Sequence, residues 1–312
     1  MRPVAALTLT NSAPRLRFIP KLLLLSLLLL VSAGLSLCLG SFPTTPFQVL
    51  RALADPQNSD IAFIIWELRL PRIALALVVG AALAIAGAIL QSIVRNPLAS
   101  PDVIGITSGA ALAAVLFLSL SSATVSIHWL PIAAMTGALA SALLVVSLAW
   151  KNGISPSRMV LVGIGLAAAM GAGTTLLIVI SDDAAAMTAY VWLTGSLYAA
   201  QWNDVKGLLP WVLVAAPICL IFARHADAMA LGDNVAEGLG VPLLRSRLVL
   251  LACSVVLAGA AVAFAGGISF VGLIAPHLAA KLVGRNLARL VPASALVGAL
   301  IVLNAPTSAE AG

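Results

Sequence analysis

Apolar runs recur along this chain, separated by short polar turns marked by proline or glycine. A helix needs about 20 residues to cross the hydrocarbon of a bilayer. On that measure the pattern predicts crossing helices at about 21–39, 72–94, 103–120, 130–150, 159–180, 208–223, 247–265, 269–283 and 291–304. The expected fold class is all-α, a polytopic membrane bundle of about nine transmembrane helices. The stretch from Arg69 to Ala110 organises the rest. It opens with arginines around Pro71, continues through some twenty small or apolar residues, and ends in the polar corner R-N-P-L-A-S-P. Gln91 lies near the far end of this run, which suits a helix packed inside a bundle and bonded to a neighbour.

The interruptions differ in kind. Residues 40–68, with Pro43, Pro46, Pro56 and Asp55, predict a partly helical loop on the outer side. Asp182 and Asp183 end the fifth span. The apolar stretch 187–199 is too short for an easy crossing and reads as a re-entrant or surface helix. Residues 201–207 are polar, with Trp202 as an interface anchor. Arg224 to Pro242 is the longest polar excursion of the second half, with glycine stops at Gly232, Gly238 and Gly240.

Basic residues set the orientation. Arg95, Lys151, Arg158, Arg224, Arg245, Arg247, Lys281, Arg285 and Arg289 all fall in turns that nine spans place on one side. The positive-inside rule makes that side cytoplasmic, with a cytoplasmic amino terminus and an extracytoplasmic carboxyl terminus. Arg69 and Arg72 stand as exceptions. Residues 22–39 follow a basic start and read as an uncleaved first span.

Composition agrees with the pattern: 62% of residues are hydrophobic and 9% charged, too few charges to cover a soluble surface. The net charge of +6 follows from the basic turns and does not signal nucleic acid. Cys38, Cys219 and Cys253 lie in apolar runs, and His128, His225 and His277 are far apart, so no metal or cofactor site is expected. No G-x-x-x-x-G-K-[ST] loop is present, so any nucleotide belongs to a partner. The spans hold almost no carboxylate, which speaks against ion-coupled transport.

One segment recurs. G-A-A-L-A-I-A-G-A-I (80–89) and G-A-A-V-A-F-A-G-G-I (259–268) share seven of ten positions, 179 residues apart. Five crossings separate them, so they run in opposite senses, the inverted-repeat plan of transporters whose pathway lies between two halves.

L-R-L-P-R (68–72), Q-S-I-V-R-N-P-L-A-S-P-D-V-I-G-I-T-S-G-A (91–110), L-G-D-N-V-A-E-G-L-G (231–240) and G-G-I-S-F-V-G-L-I-A-P-H (266–277) together resemble the iron-siderophore and vitamin B12 permease family of binding-protein-dependent ABC importers. W-L-T-G-S-L (192–197) with Trp202 is similar to the ferric-siderophore branch. The resemblance implies the membrane-spanning subunit of an ATP-driven importer, not itself an enzyme, in a bacterial inner membrane. Its partners would be a second permease subunit, two cytoplasmic ATPases and an outer siderophore-binding protein.

The resemblance also implies a coupling segment at 224–242, carried by Ala228, Leu231, Gly232, Asp233, Ala236, Glu237, Leu239 and Gly240. Gly80, Gly87, Gln91, Arg95, Asn96, Pro97, Pro276 and His277 are expected in the translocation path or in the motifs that shape it. Family members carry a tenth span. Here Val302 to Pro306 stands where a further motif is expected, and 305–312 reads as an atypical short tail. The rival readings are a vitamin B12 or haem importer of the same family, a secondary transporter, and an inactive truncated permease or scaffold.

Overall fold

A computed structural model describes residues 18–305, apart from 40, 41, 43, 56–59, 121–125, 152 and 154. The expectations for the amino-terminal tail, for Pro43 and Pro56, and for residues 306–312 lie outside the described residues.

The order of helices is α1 (Phe18–Cys38), α2 (Pro46–Ala54), α3 (Asp60–Phe63), α4 (Leu70–Val94), α5 (Ile106–Leu120), α6 (Leu130–Ala149), α7 (Pro156–Ile180) and α8 (Asp183–Thr194). Then follow α9 (Trp202–Ile221), α10 (Ala223–Ala230), α11 (Asp233–Gly238), α12 (Leu243–Ala265), α13 (Val271–Val283) and α14 (Leu287–Asn304). Among the described residues, seven helices are long and apolar enough to cross a membrane, against nine expected. The other two expected spans are α5 and α13, apolar helices of 15 and 13 residues.

Most predicted boundaries moved by a few residues, and three of the shifts have a clear local reason. The second span begins well before 72: Ile61–Val94 is one continuous helix. Pro71 ought to break it, because its ring collides with a carbonyl one turn back. A π-helical turn over Ile64–Arg69 widens the backbone just before the proline, with Leu70 N–H bonded to Ile65 O, and the helix passes through. The sixth span begins at Trp202, because Gln201 and Asp204 form a reciprocal cap that makes the polar residues 202–207 helical. Residues 101–105 form a turn, so the third apolar helix starts at Ile106.

Contacts between helix ends sort the molecule into two faces. At one end Arg95, after α4, and Arg247, early in α12, meet Asp233. Asp227 meets Asn286 and Leu287 at the start of α14, and Lys21 of α1 reaches Leu282 O at the end of α13. This is the end that gathers the basic turns. At the opposite end Trp202 Nε1 donates to Trp66 O at 2.9 Å, and the Ser119 and Ser181 hydroxyls meet at 2.7 Å. Arg69 works here as a strut, donating to Leu37 O, Phe42 O and Thr44 Oγ1 and tying the helix before α4 to the end of α1.

The helix α4 therefore finishes at the basic end where α12 begins, and the two run antiparallel. They pack side by side, with Ser254 Oγ of α12 donating to Ala86 O of α4 at 3.0 Å. Two units of the same form follow from them: long α4, short α5, long α6, and long α12, short α13, long α14. The units interlock, α4 packing on α14 and α12 on α6. Glycine sets the closeness. A Cβ built on Gly80 would lie 2.3 Å from Gly298 O, and one on Gly298 would lie 2.2 Å from Gly80 O. The two backbones touch, which only small residues allow.

The sequence repeat holds through the seventh position and then parts. Gly87 continues the helix to Val94, whereas Gly266 ends α12 with φ 72°. Gly267 follows it where α4 has Ala88, and a glycine pair costs helix about 2 kcal/mol against alanine. Both glycines lie against the carbonyls of Trp192 and Leu193, at the end of α8.

Candidate functional site

The excursion at the basic end folds into two short helices. α9 stops at Ile221, α10 follows directly, and α11 is six residues long. Gly232 and Gly240 bracket α11 at φ 119° and φ 78°, conformations that L side chains rarely adopt, so the reversals at both its ends need glycine. Ala226, Met229 and Ala236 face inward and are buried. Val235 within α11 and Leu231 and Leu239 flanking it are exposed. An aliphatic patch on a polar turn, outside the bundle, is the form of a surface that meets another protein. Ala228 is half-buried and Glu237 exposed.

Charges fix the segment to the bundle. Asp233 Oδ1 accepts from Arg247 at 2.6 Å and also from Arg95. The Arg247 guanidinium is the main reason its carboxyl sits below the usual range; burial opposes it, and Arg95 lowers it further. Asp227 accepts from Leu287 N–H at 2.8 Å and from the Asn286 side chain, capping α14. Burial raises its carboxyl above the usual value, and those two bonds only partly offset it. His225 Nδ1 lies 3.0 Å from Ser246 Oγ, with its ring edge-on to Phe222. An open cleft of about 950 Å³ runs beside α11, between the turn at Trp150–Arg158 and the start of α12.

The other expected residues lie along α4 and its neighbours. Pro276 has no N–H for the carbonyl of Gly272, one turn back. That oxygen is directed into α4, where a Cβ on Gly87 would stand 1.7 Å from it. One turn further on, Gln91 Nε2 donates to Leu273 O at 3.2 Å. Gly80, Gly87, Gln91 and Pro276 thus share the seam between α4 and the pair α13–α14. Arg95 closes α4 in the left-handed region at φ 56°, and Asn96 Oδ1 accepts from Leu98 N–H at 2.9 Å to form the corner before which Pro97 ends the helix. His277 is half-buried on α13. Sequence reasoning named Asp233 and Arg95 separately and missed that they meet. It also missed Asp227, Arg247 and Asn286 as partners in this cluster. The available signal was two aspartates inside the most basic side of the molecule.

Comparison with known proteins decides the family. Residues 27–311 match the FecCD transport family. The chain belongs to the FecCD transport family. It is 48% identical over 277 residues to the achromobactin transport system permease protein CbrC of Dickeya dadantii, covering 89% of this chain and 79% of that protein. It is 44% identical over 287 residues to the Fe(3+)-citrate import system permease protein YfmE of Bacillus subtilis, covering 92% and 85%. A solved metal-chelate type ABC transporter in an inward-facing conformation superposes with a TM-score of 0.84 at 32% identity, over 94% of this chain and 91% of that one. As a FecCD member the chain is a multi-pass inner-membrane transport permease, and the family works with an ATPase and a binding protein.

Proposed function

We propose that this chain forms the membrane path of an importer that carries an iron(III)-siderophore inward, driven by ATP hydrolysis in a partner. It is the permease subunit of an ABC-type iron-siderophore import system. The observation that carries this reading is similarity over about nine-tenths of the chain to permeases of siderophore and ferric-citrate import. The mechanism needs no covalent chemistry here, only alternate opening of a cavity to the two sides.

In this reading the membrane is crossed nine times, α5 and α13 completing their crossings with the irregular segments that precede them. Irregular backbone at that depth is tolerable where protein covers it, as Ser141 Oγ covers Gly105 O at 2.6 Å. The units α4–α5–α6 and α12–α13–α14 form an inverted repeat, and the basic end is cytoplasmic. Residues 224–242 are the coupling segment. Leu231, Val235 and Leu239 enter a cleft of the ATPase, Asp233 and Ala236 hold α11 to the bundle, and Gly232 and Gly240 let it reverse. Gly80, Gly87, Gln91 and Pro276 act as the packing seam that moves as a unit, with Arg95, Asn96 and Pro97 at its inner end and His277 beside it. Two permease subunits and two ATPases assemble with one binding protein. Support for pairing comes from α7: its exposed face carries Gly165, Ala168, Ala169, Gly171 and Ala172, small residues of the kind that seat another helix.

The test is uptake of radiolabelled ferric siderophore by vesicles holding the permease with its ATPase and binding protein. Uptake should require ATP and both partners and survive a protonophore. Uptake driven by a proton gradient without ATP would end this reading.

A further inference from the structure

The coupling segment has an inward side as well as a docking side. Asp233 opens α11, and its single oxygen Oδ1 binds two arginines of different origin. Arg95 closes α4, the first helix of one three-helix unit. Arg247 stands in the first turns of α12, the first helix of the other. The chain itself links α11 to α12 through Leu239–Pro242. It makes no such short link to α4. Among the described residues, the Asp233–Arg95 pair is the only side-chain hydrogen bond from α11 to α4–α7. Arg95 also holds a left-handed backbone, an uncommon state for a residue with a Cβ, which persists where surrounding contacts fix it. The Arg247 side chain is buried and Asp233 is partly open to solvent, so the carboxylate sits at the rim of the bundle where it can move with α11.

We infer that Asp233 is a positioning residue of the transport cycle, yoking the inner ends of α4 and α12 so that one displacement of α11 reaches both units together. This rests on the coupling role proposed above. Without the carboxylate, α11 still pulls on α12 through the chain, but its direct tie to the inner end of α4 is lost, and the two units change together less completely. Hydrolysis below then proceeds without a full opening of the path.

The experiment measures siderophore transported per ATP hydrolysed in vesicles holding the complete complex, together with the ATPase retained on the purified permease. Asp233→Ala and Arg95→Gln should each keep the ATPase bound and lower the transport-to-hydrolysis ratio about tenfold, the size of a typical coupling between sites. The double variant should be no worse than Asp233→Ala alone, because that single variant has already removed the bond to Arg95. Asp233→Glu, which keeps the charge, should retain most of the ratio and shows that the site tolerates substitution. A wild-type ratio in Asp233→Ala overturns the inference. So does loss of the ATPase from that variant, which would make Asp233 part of the docking face. Failure of the wild-type complex to use ATP for uptake would sink the proposed function instead.

Discussion

α4 and α7 each run for 25 residues and each is rich in small side chains, nine alanines and glycines in the first and eight in the second. Within the molecule their surroundings are opposite. Of the apolar window in each, 78% is buried for the helix ending at Val94 and 22% for α7. Gly80 and Gly87 lie against the backbones of α14 and α13, while Gly165 and Gly171 have nothing within 4 Å. α1 gives the third case. Ten of its 21 residues are leucine and only 6% of its window is buried. Hydropathy does not separate these helices, because lipid tails are as apolar as leucine and burial in the bundle gains little from it. Residue size is distributed differently: α1 exposes leucine, α4 buries its small residues, and α7 exposes a central run of small residues, Gly165 to Ala172, flanked by exposed Leu161, Ile164 and Leu176. A second permease subunit is the partner proposed for that surface.

The sharpest way to break this comparison is to put the same bulky residue on both helices. Gly80→Leu would drive carbon into the Gly298 carbonyl, where neither backbone can yield without parting α4 from α14. Overpacking of a tight core costs about 1–3 kcal/mol, and a backbone contact this short belongs at or beyond the upper limit. Monodisperse protein after detergent extraction should be largely lost. Gly171→Leu meets open space and should extract like the wild type. Equal yields from the two variants would show that the seam between α4 and α14 is not the tight contact described.

The next effect is in pairing. Gly165→Leu and Gly171→Leu should leave the single chain folded and weaken subunit association in membranes about tenfold, equivalent to about 1.4 kcal/mol. Cross-linking between α7 helices of two copies, or photobleaching steps per particle, measures it. Unchanged association would leave the small face of α7 without its proposed partner.

These contrasts also explain what the sequence could reveal. The apolar runs, the Arg224–Pro242 excursion and the antiparallel sense of Gly80 and Gly259 follow from local pattern and from counting crossings. The continuation of α4 back to Ile61 does not, because Pro71 reads locally as the start of a helix and the π-helical turn that carries the helix through it leaves no mark in composition. The start of α9 was hidden by polar residues that a reciprocal cap turned into helix. The meeting of Arg95 with Asp233 spans 138 positions, and no periodicity reports it. The exposed face of α7 was equally hidden, since small residues look the same whether or not a neighbour is present.

A smaller effect separates the rim from the interior through pH. The Asp233 carboxyl is held below its ordinary value, so its folded pKa is depressed. Its stabilising contribution is complete above the unfolded value of about 3.9 and is lost as pH falls through the lower folded one. Thermal unfolding of purified protein should show this acid loss, and Asp233→Asn should flatten it in that window. An unchanged acid limb in the variant would mean that the two arginines do not favour the ionised form.

The smallest predicted effect compares one hydroxyl from each helix environment. Ser254 Oγ is fully buried and donates to Ala86 O, joining α12 to α4 at 3.0 Å. Thr175 Oγ1 is exposed on α7 and donates to Gly171 O within its own helix at 3.1 Å. Ser254→Ala removes the interhelical bond but leaves no buried group unpaired, because the Ala86 carbonyl keeps its own helical partner at Leu90. The expected loss is therefore about 0.6 kcal/mol, the scale of hydrogen bonds between membrane helices, well short of the cost of a stranded polar group. Thr175→Ala breaks only a local bond that a helix can do without and should fall near zero. Unfolding in mixed micelles resolves the difference. A loss at Ser254 of several times that size would mean that polar bonds, and not the close backbones at Gly80 and Gly87, hold the antiparallel pair together.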